Sequence, residues 1–282
     1  MKSGYASTPQ GQIHYRSHGR GAPLLLLHET PRSSAAFLPL MRRLGARYSC
    51  IAADTLGFGN SDPLPPKAKM EDLATSMVSL LDRLGIERAH VLGFHTGNKI
   101  AAAMAAHHPQ RVDKVVLVGM THSLVVSRKA RDAAIMAIVA RYMGVHPESR
   151  DGSHLLRSWA ADFQNLAGIW FKPELMRARR ITEAALRLQE TRMIEMIQCR
   201  RSIKPGYQMN FDFDFAATLR RVRQPTLVIE CTVPDEAHLG AQGPKMLALL
   251  RQGQLATLEG AGFDATDARA ADIAKLSAAF LD

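Results

Sequence analysis

Residues 89–97 read Ala-His-Val-Leu-Gly-Phe-His-Thr-Gly, and Asn-Lys-Ile-Ala-Ala-Ala-Met-Ala-Ala follows at once. The apolar run at 89–92 is a strand, and 98–108 is a small-residue helix that stops before Pro109. Between them lies Gly93-Phe94-His95-Thr96-Gly97. Glycines at both ends of so short a strand-to-helix turn allow strained dihedrals and close backbone approach, and they push the middle side chain, His95, into a cleft.

The same alternation extends outward in both directions. Residues 12–16 read as an edge strand, and 23–28 and 48–54 as buried strands. Helical spacing covers 34–44 and 70–84, the latter ended by Gly85, and 114–119 is a further strand. From about 127 to 201 only helical signals occur, at 129–142, 154–159 and 173–200. Strand and helix then alternate again: strands at 225–231 and 254–258, helices at 245–251 and 270–281. This pattern predicts an α/β fold with a mainly parallel sheet, helices on both faces and one helical insertion.

At 282 residues the chain fits one large α/β domain carrying an insertion, and 46% hydrophobic with 22% charged residues is ordinary globular composition. The longest apolar runs, 24–27 and 100–106, are too short to cross a membrane, and the N-terminus lacks the apolar stretch of a secretory signal. Cys50, Cys199 and Cys231 are odd in number and far apart, which predicts free thiols and a cytoplasmic location. The net charge is +10; of this, 121–210 contributes +7, from 15 Lys and Arg against 8 Asp and Glu. These arginines are scattered at helical spacing, with few aromatics and no recognised module among them. They predict a basic helix layer or pocket entrance rather than a nucleic-acid surface. Gly57-x-Gly59 lacks the third glycine of a dinucleotide fingerprint and runs into prolines, so it reads as a turn.

Taken with the elbow at Gly93–Gly97, several stretches resemble the α/β-hydrolase family. Residues 24–28 followed by Glu29-Thr30-Pro31 resemble its strand and oxyanion loop. Asp54-Thr-Leu-Gly-Phe-Gly-Asn-Ser-Asp62 resembles the turn after its next strand, and 108–112 with 115–118 the stretch beyond its elbow helix. The resemblance implies a core of residues 1–120 and 211–282 and a helical cap of 121–210, with a pocket between cap and sheet. The family pattern Gly-x-Ser-x-Gly has His95 in the nucleophile's place. Phe263, in Glu259-Gly-Ala-Gly-Phe-Asp264, stands where the general base belongs. After 226–229 the family's acid falls on Pro234, or on Asp235 with a one-residue shift; Glu230 is nearby.

A seryl nucleophile with its own base is therefore excluded at the usual place. Three readings of His95 stay open: a side chain filling vacated space in a silent protein, a general base oriented by Asp235 or Glu230, or a metal ligand. His28, His95 and His122 end three strands beside Glu29, but no helix carries a His-x-x-x-His pair; no metal and no cofactor are expected. The resemblance places oxyanion donors at the amides of Thr30 and Thr96, with Glu29 replacing the usual glycine. Glu29, His122 and Phe263 are expected to line the substrate site. The expected activity is hydrolysis of an ester, lactone or related acyl bond of a small, possibly anionic molecule. The alternatives are a silent ligand-binding protein and a lyase-like, cofactor-free relative using His95 for proton transfer.

Overall fold

A computed structural model describes residues 1–119, 148–157, 183–232, 241–262 and 265–282, with a few single positions between 124 and 137. Eight strands form one sheet: β1 Lys2–Thr8, β2 Gly11–His18, β3 Ala22–Leu27, β4 Tyr48–Ala53, β5 Ala89–Phe94, β6 Val112–Val118, β7 Thr226–Thr232 and β8 Gly253–Glu259. Their spatial order is β1-β2-β4-β3-β5-β6-β7-β8. Both pairings of β2 are antiparallel and the rest are parallel. Residues 12–16 are thus not an edge. They sit in β2, and β1 covers them. β1 escapes sequence reading because Ala6 is its one buried residue, so no hydrophobic alternation marks it.

Among the described residues the helices are α1 Leu38–Leu44, α2 Met70–Arg83, α3 Thr96–His107, α4 Glu183–Asp212, α5 Phe215–Arg221, α6 Gly243–Leu247, α7 Ala265–Ala268 and α8 Ala270–Leu281. The helix expected over 34–44 is split: Ser34–Phe37 is a 3-10 turn, capped by the Ser33 hydroxyl, before α1 begins. The central strands bury both faces, so successive residues enter different cores. Leu25 and Leu27 pack with α2 and α3, while Leu24 and Leu26 pack with α1 and α8. α4 runs about 45 Å at 1.5 Å per residue and continues past Asn210, through Pro205.

The tightest approach lies where α3 meets β3. A Cβ on Gly97 would stand 1.9 Å from the carbonyl oxygen of Leu27, and one on Gly93 would stand 2.4 Å from the Gly97 backbone. Helix and strand are therefore in backbone contact. Gly97→Ala should destabilise the fold by about 3 kcal/mol or more, since rigid backbone must move. Urea unfolding of the two proteins side by side measures this, and a loss below about 1 kcal/mol would contradict it.

Candidate functional site

The backbone turns from β5 into α3 at His95, with φ 48° and ψ −105°. This is a positive-φ non-glycine residue, of the kind held in place only by its surroundings. Those surroundings are visible. The His95 amide donates to Val118 O at 3.2 Å, and Asn98 N donates to His95 O at 3.0 Å. The Asn98 side chain donates to Val118 O at 2.9 Å and accepts from Val118 N at 3.0 Å, so it continues the β5–β6 ladder. The imidazole is 9% exposed and lies edge-on to Phe94 with ring centres 4.4 Å apart. It faces the carboxyl end of β6: a Cβ on Gly119 would stand 3.0 Å from His95 Nε2.

The loop after β3 runs alongside. His28 Nδ1 donates to Glu29 O at 2.8 Å, and the Thr55 amide donates to His28 Nε2 at 3.1 Å. Because an amide can only donate, Nε2 must accept and the proton sits on Nδ1. Burial lowers the pKa of His28, although its bond to Glu29 O opposes this. Both ring nitrogens are thus committed, one to the loop and one to the turn after β4, which takes His28 out of the metal reading. The Thr30 amide donates to Thr96 Oγ1 at 3.3 Å, and Asn210 Nδ2 donates to the same oxygen at 3.3 Å. The two expected oxyanion residues are therefore neighbours, with the Thr96 hydroxyl between Thr30 and α4.

α4 brings Glu195 and Cys199 to this loop, Arg192 to α7 and Asn210 to Thr96. Lys99 Nζ donates to Asn210 O at 2.5 Å, and Cys199 Sγ to Pro31 O at 3.4 Å. Ile203 and Cys199 pack on Phe58. The charged centre of the contact is Arg32, whose Nε donates to Glu195 Oε2 at 2.5 Å. Its Nη1 lies 3.4 Å from Asp267 Oδ2 and 3.7 Å from Glu29 Oε1. Ser33 Oγ also donates to Glu195, and Arg192 Nη2 lies 3.2 Å from Asp267 Oδ2. Loop, α4 and α7 are joined in one buried ionic cluster. Sequence reading missed it. The available signal was the spacing of acidic Glu195 at i+3 from Arg192 and i−4 from Cys199, on the inward face of a basic helix.

Three carboxylates against two guanidiniums leave one surplus negative charge. Glu29 gives it up: it is 4% exposed, and neither carboxyl oxygen has a hydrogen-bond donor among the described residues. Burial pushes its pKa up to about 7 despite Arg32. A neutral Glu29 removes the repulsion that an ionised one would bring to a developing oxyanion nearby. Asp54 is the opposite case. Burial alone would raise it, but bonds from His14 Nδ1 (2.8 Å), Asn60 N (2.8 Å) and Ser34 N (2.7 Å) hold it at about 2. That ionised carboxylate fastens the turn at Gly57–Asp62 to β2 and to the 3-10 turn. Gly59 fits against it, since a Cβ there would stand 2.2 Å from Asp54 Oδ2.

Glu230, the alternative acid, is occupied: its Oε1 accepts from Gln242 N at 2.6 Å and Gly243 N at 2.8 Å, at the start of α6. Asp235, His122 and Phe263 lie outside the described residues. Because Glu29 binds its proton more tightly folded than unfolded, its contribution is full below about pH 4.5 and lost as pH rises through about 7. Glu29→Gln, which mimics the protonated form, should abolish that loss. The variant should be the more stable protein at pH 8.5, by up to about 3 kcal/mol. Thermal unfolding of both proteins between pH 4 and 9 tests this, and parallel curves would contradict a raised Glu29.

Residues 22–168, just over half of the chain, match the family model of the alpha/beta hydrolase fold. A stretch of 114 residues is 37% identical to a 2-hydroxy-6-oxononadienedioate/2-hydroxy-6-oxononatrienedioate hydrolase of Pseudomonas putida, covering 38% of this chain and 40% of that protein. Another, of 118 residues, is 33% identical to haloalkane dehalogenase 2 of Mycobacterium tuberculosis, covering 42% and 41%. These matches span about two fifths of the relatives' length. The fold matches throughout that of the enol-lactonase from Burkholderia xenovorans, with a TM-score of 0.72, 20% identity and 99% of each chain covered. The epoxide hydrolase CorEH superposes with a TM-score of 0.76 at 18% identity, over 99% of this chain and 98% of that one. With the sheet order, the strand-to-helix turn and the family match in agreement, the chain belongs to the α/β-hydrolase fold family.

Proposed function

We propose that this protein hydrolyses an ester, lactone or related acyl bond of a small molecule, with His95 acting as general base in place of a seryl nucleophile. The observation that carries this reading is the place of the imidazole: buried, on the strained turn, against the end of β6 and next in sequence to Thr96. His95 takes a proton from water as the water oxygen bonds to the acyl carbon. It returns that proton to the leaving oxygen when the old C–O bond breaks. The amides of Thr30 and Thr96 receive the oxyanion, which requires the Thr96 hydroxyl to turn aside from Thr30. Below its pKa of about 7 the Glu29 carboxyl is neutral and leaves that charge unopposed, and no cofactor is needed.

Asp235 is the acid assigned to orient His95, and the commitment of Glu230 to α6 supports that choice. Phe263 supplies an apolar wall, and Glu29 and His122 complete the substrate site. Residues 121–210 form the cap over a core of 1–120 and 211–282, and their positive excess favours an anionic acyl ligand. The similar Pseudomonas putida enzyme is named for a dioate, a substrate of that sign. Cys50, Cys199 and Cys231 are buried thiols, which accords with a reducing, cytoplasmic setting.

One observation favours a second reading, a silent ligand-binding protein. The Thr30 amide is already satisfied by Thr96 Oγ1, so the donor is committed inside the protein. Turnover of a panel of p-nitrophenyl esters and lactones separates the two. The wild type should exceed His95→Ala by about 10²-fold or more on at least one substrate. Equal rates across the panel would leave the silent reading. His95→Ser combined with Phe263→His should give esterase turnover well above that of either single variant, because nucleophile and base act as a unit. A folded but inactive double variant would count against Asp235 as the acid.

A further inference from the structure

The parallel strands have a second end, and basic residues gather there. Arg220 and Arg221 close α5, Arg223 precedes β7 and Arg251 precedes β8. With Ala106 and Pro109 these four arginines line a concavity of about 250 Å³. All four are exposed. The side chain of Arg221 donates from Nη1 to His107 Nε2 at 3.3 Å. The side chains of Arg220, Arg223 and Arg251 have no hydrogen-bond or carboxylate partner among the described residues.

Two ordinary explanations account for part of this. Arg220 and Arg221 sit in the last turn of α5, where cations complement the helix dipole. Arg223 and Arg251 come from the segments leading into two different strands, so that explanation does not reach them. Generalised surface charge explains isolated arginines, but four like charges around one hollow repel one another and weaken the fold. A ligand that cancels them removes the repulsion.

We propose that Arg220, Arg221, Arg223 and Arg251 form a binding site for a compact polyphosphate anion, distinct from the hydrolase cleft. Guanidinium forks match phosphate oxygens in pairs, and several forks facing one hollow suit a small multivalent group. The surface is concave, which suits a soluble phosphate group better than a flat membrane. The lining carries no aromatic ring on which a nucleic-acid base would stack. The site lies at the amino ends of β7 and β8, whereas His95 faces the carboxyl end of β6. A seven-residue strand, about 23 Å long at 3.3 Å per residue, separates the two ends, so the inference is independent of the hydrolase reading.

The test uses inorganic pyrophosphate as probe, by calorimetric titration and by thermal unfolding at fixed ionic strength. Pyrophosphate should bind saturably, raise the melting temperature more than sulfate does, and lose affinity as salt rises. Arg223→Gln with Arg251→Gln should weaken binding at least tenfold while the circular dichroism spectrum is unchanged. Arg42→Gln with Arg43→Gln on α1 removes the same charge elsewhere and should leave binding intact. Equal weakening by both pairs would reduce the effect to net charge and overturn the site. Unchanged binding in the Arg223/Arg251 variant would overturn it too. So would the absence of pyrophosphate binding alongside sedimentation with phosphatidic-acid vesicles or retention of duplex DNA, each pointing to a different surface function.

Discussion

The contact of Gly97 with the Leu27 carbonyl sets the geometry of this protein. Because α3 starts against the end of β3 with no side chain between them, the chain must leave β5 through a left-handed residue at His95. The same contact carries the first turn of α3 up to the loop after β3, which is why Thr96 meets Thr30. These are main-chain demands. They hold whatever side chain occupies the turn, provided the flanking residues are glycine. A family fold and an unusual side chain at its centre therefore coexist without conflict.

The second layer of organisation is electrostatic. Two buried carboxylates govern the loops around the turn, and folding shifts their pKa values in opposite directions. Asp54 is surrounded by donors from three segments and stays ionised, so it holds those segments together. Glu29 is buried beside a cluster already over-supplied with negative charge, and it holds its proton up to about pH 7. Arg32 joins the loop after β3 to α4 and α7, and burial strengthens its ties to Glu195 and Asp267 while making an unmatched charge costly. The inward face of α4 is thereby fixed to the same loop that bears Thr30. Movement of that helix and availability of the Thr30 amide are physically linked through Asn210 and Thr96.

The charge excess that stood out in composition resolves into two kinds of arginine. Some, such as Arg32 and Arg192, are structural and end on buried acids. Others, at the amino ends of β7 and β8, have no acidic partner among the described residues. Composition cannot separate these kinds, since both count as one positive charge each. Their partners are supplied by segments far away in sequence.

The sequence by itself determined the α/β alternation and the strand-to-helix turn at His95. These are local properties: period-2 and period-3.6 burial, and glycine at turns that need it. Tertiary structure alone decided that 12–16 is covered by β1, whose polar residues carry no burial pattern. Only the fold could show that Glu230 caps α6, that His28 has both nitrogens committed and that burial raises Glu29 within the Arg32 cluster. Each depends on groups tens to hundreds of residues apart, or on a tautomer fixed by a neighbouring amide. The protonation of a buried acid reflects the sum of charges that folding gathers around it, and no local pattern in the chain encodes that sum.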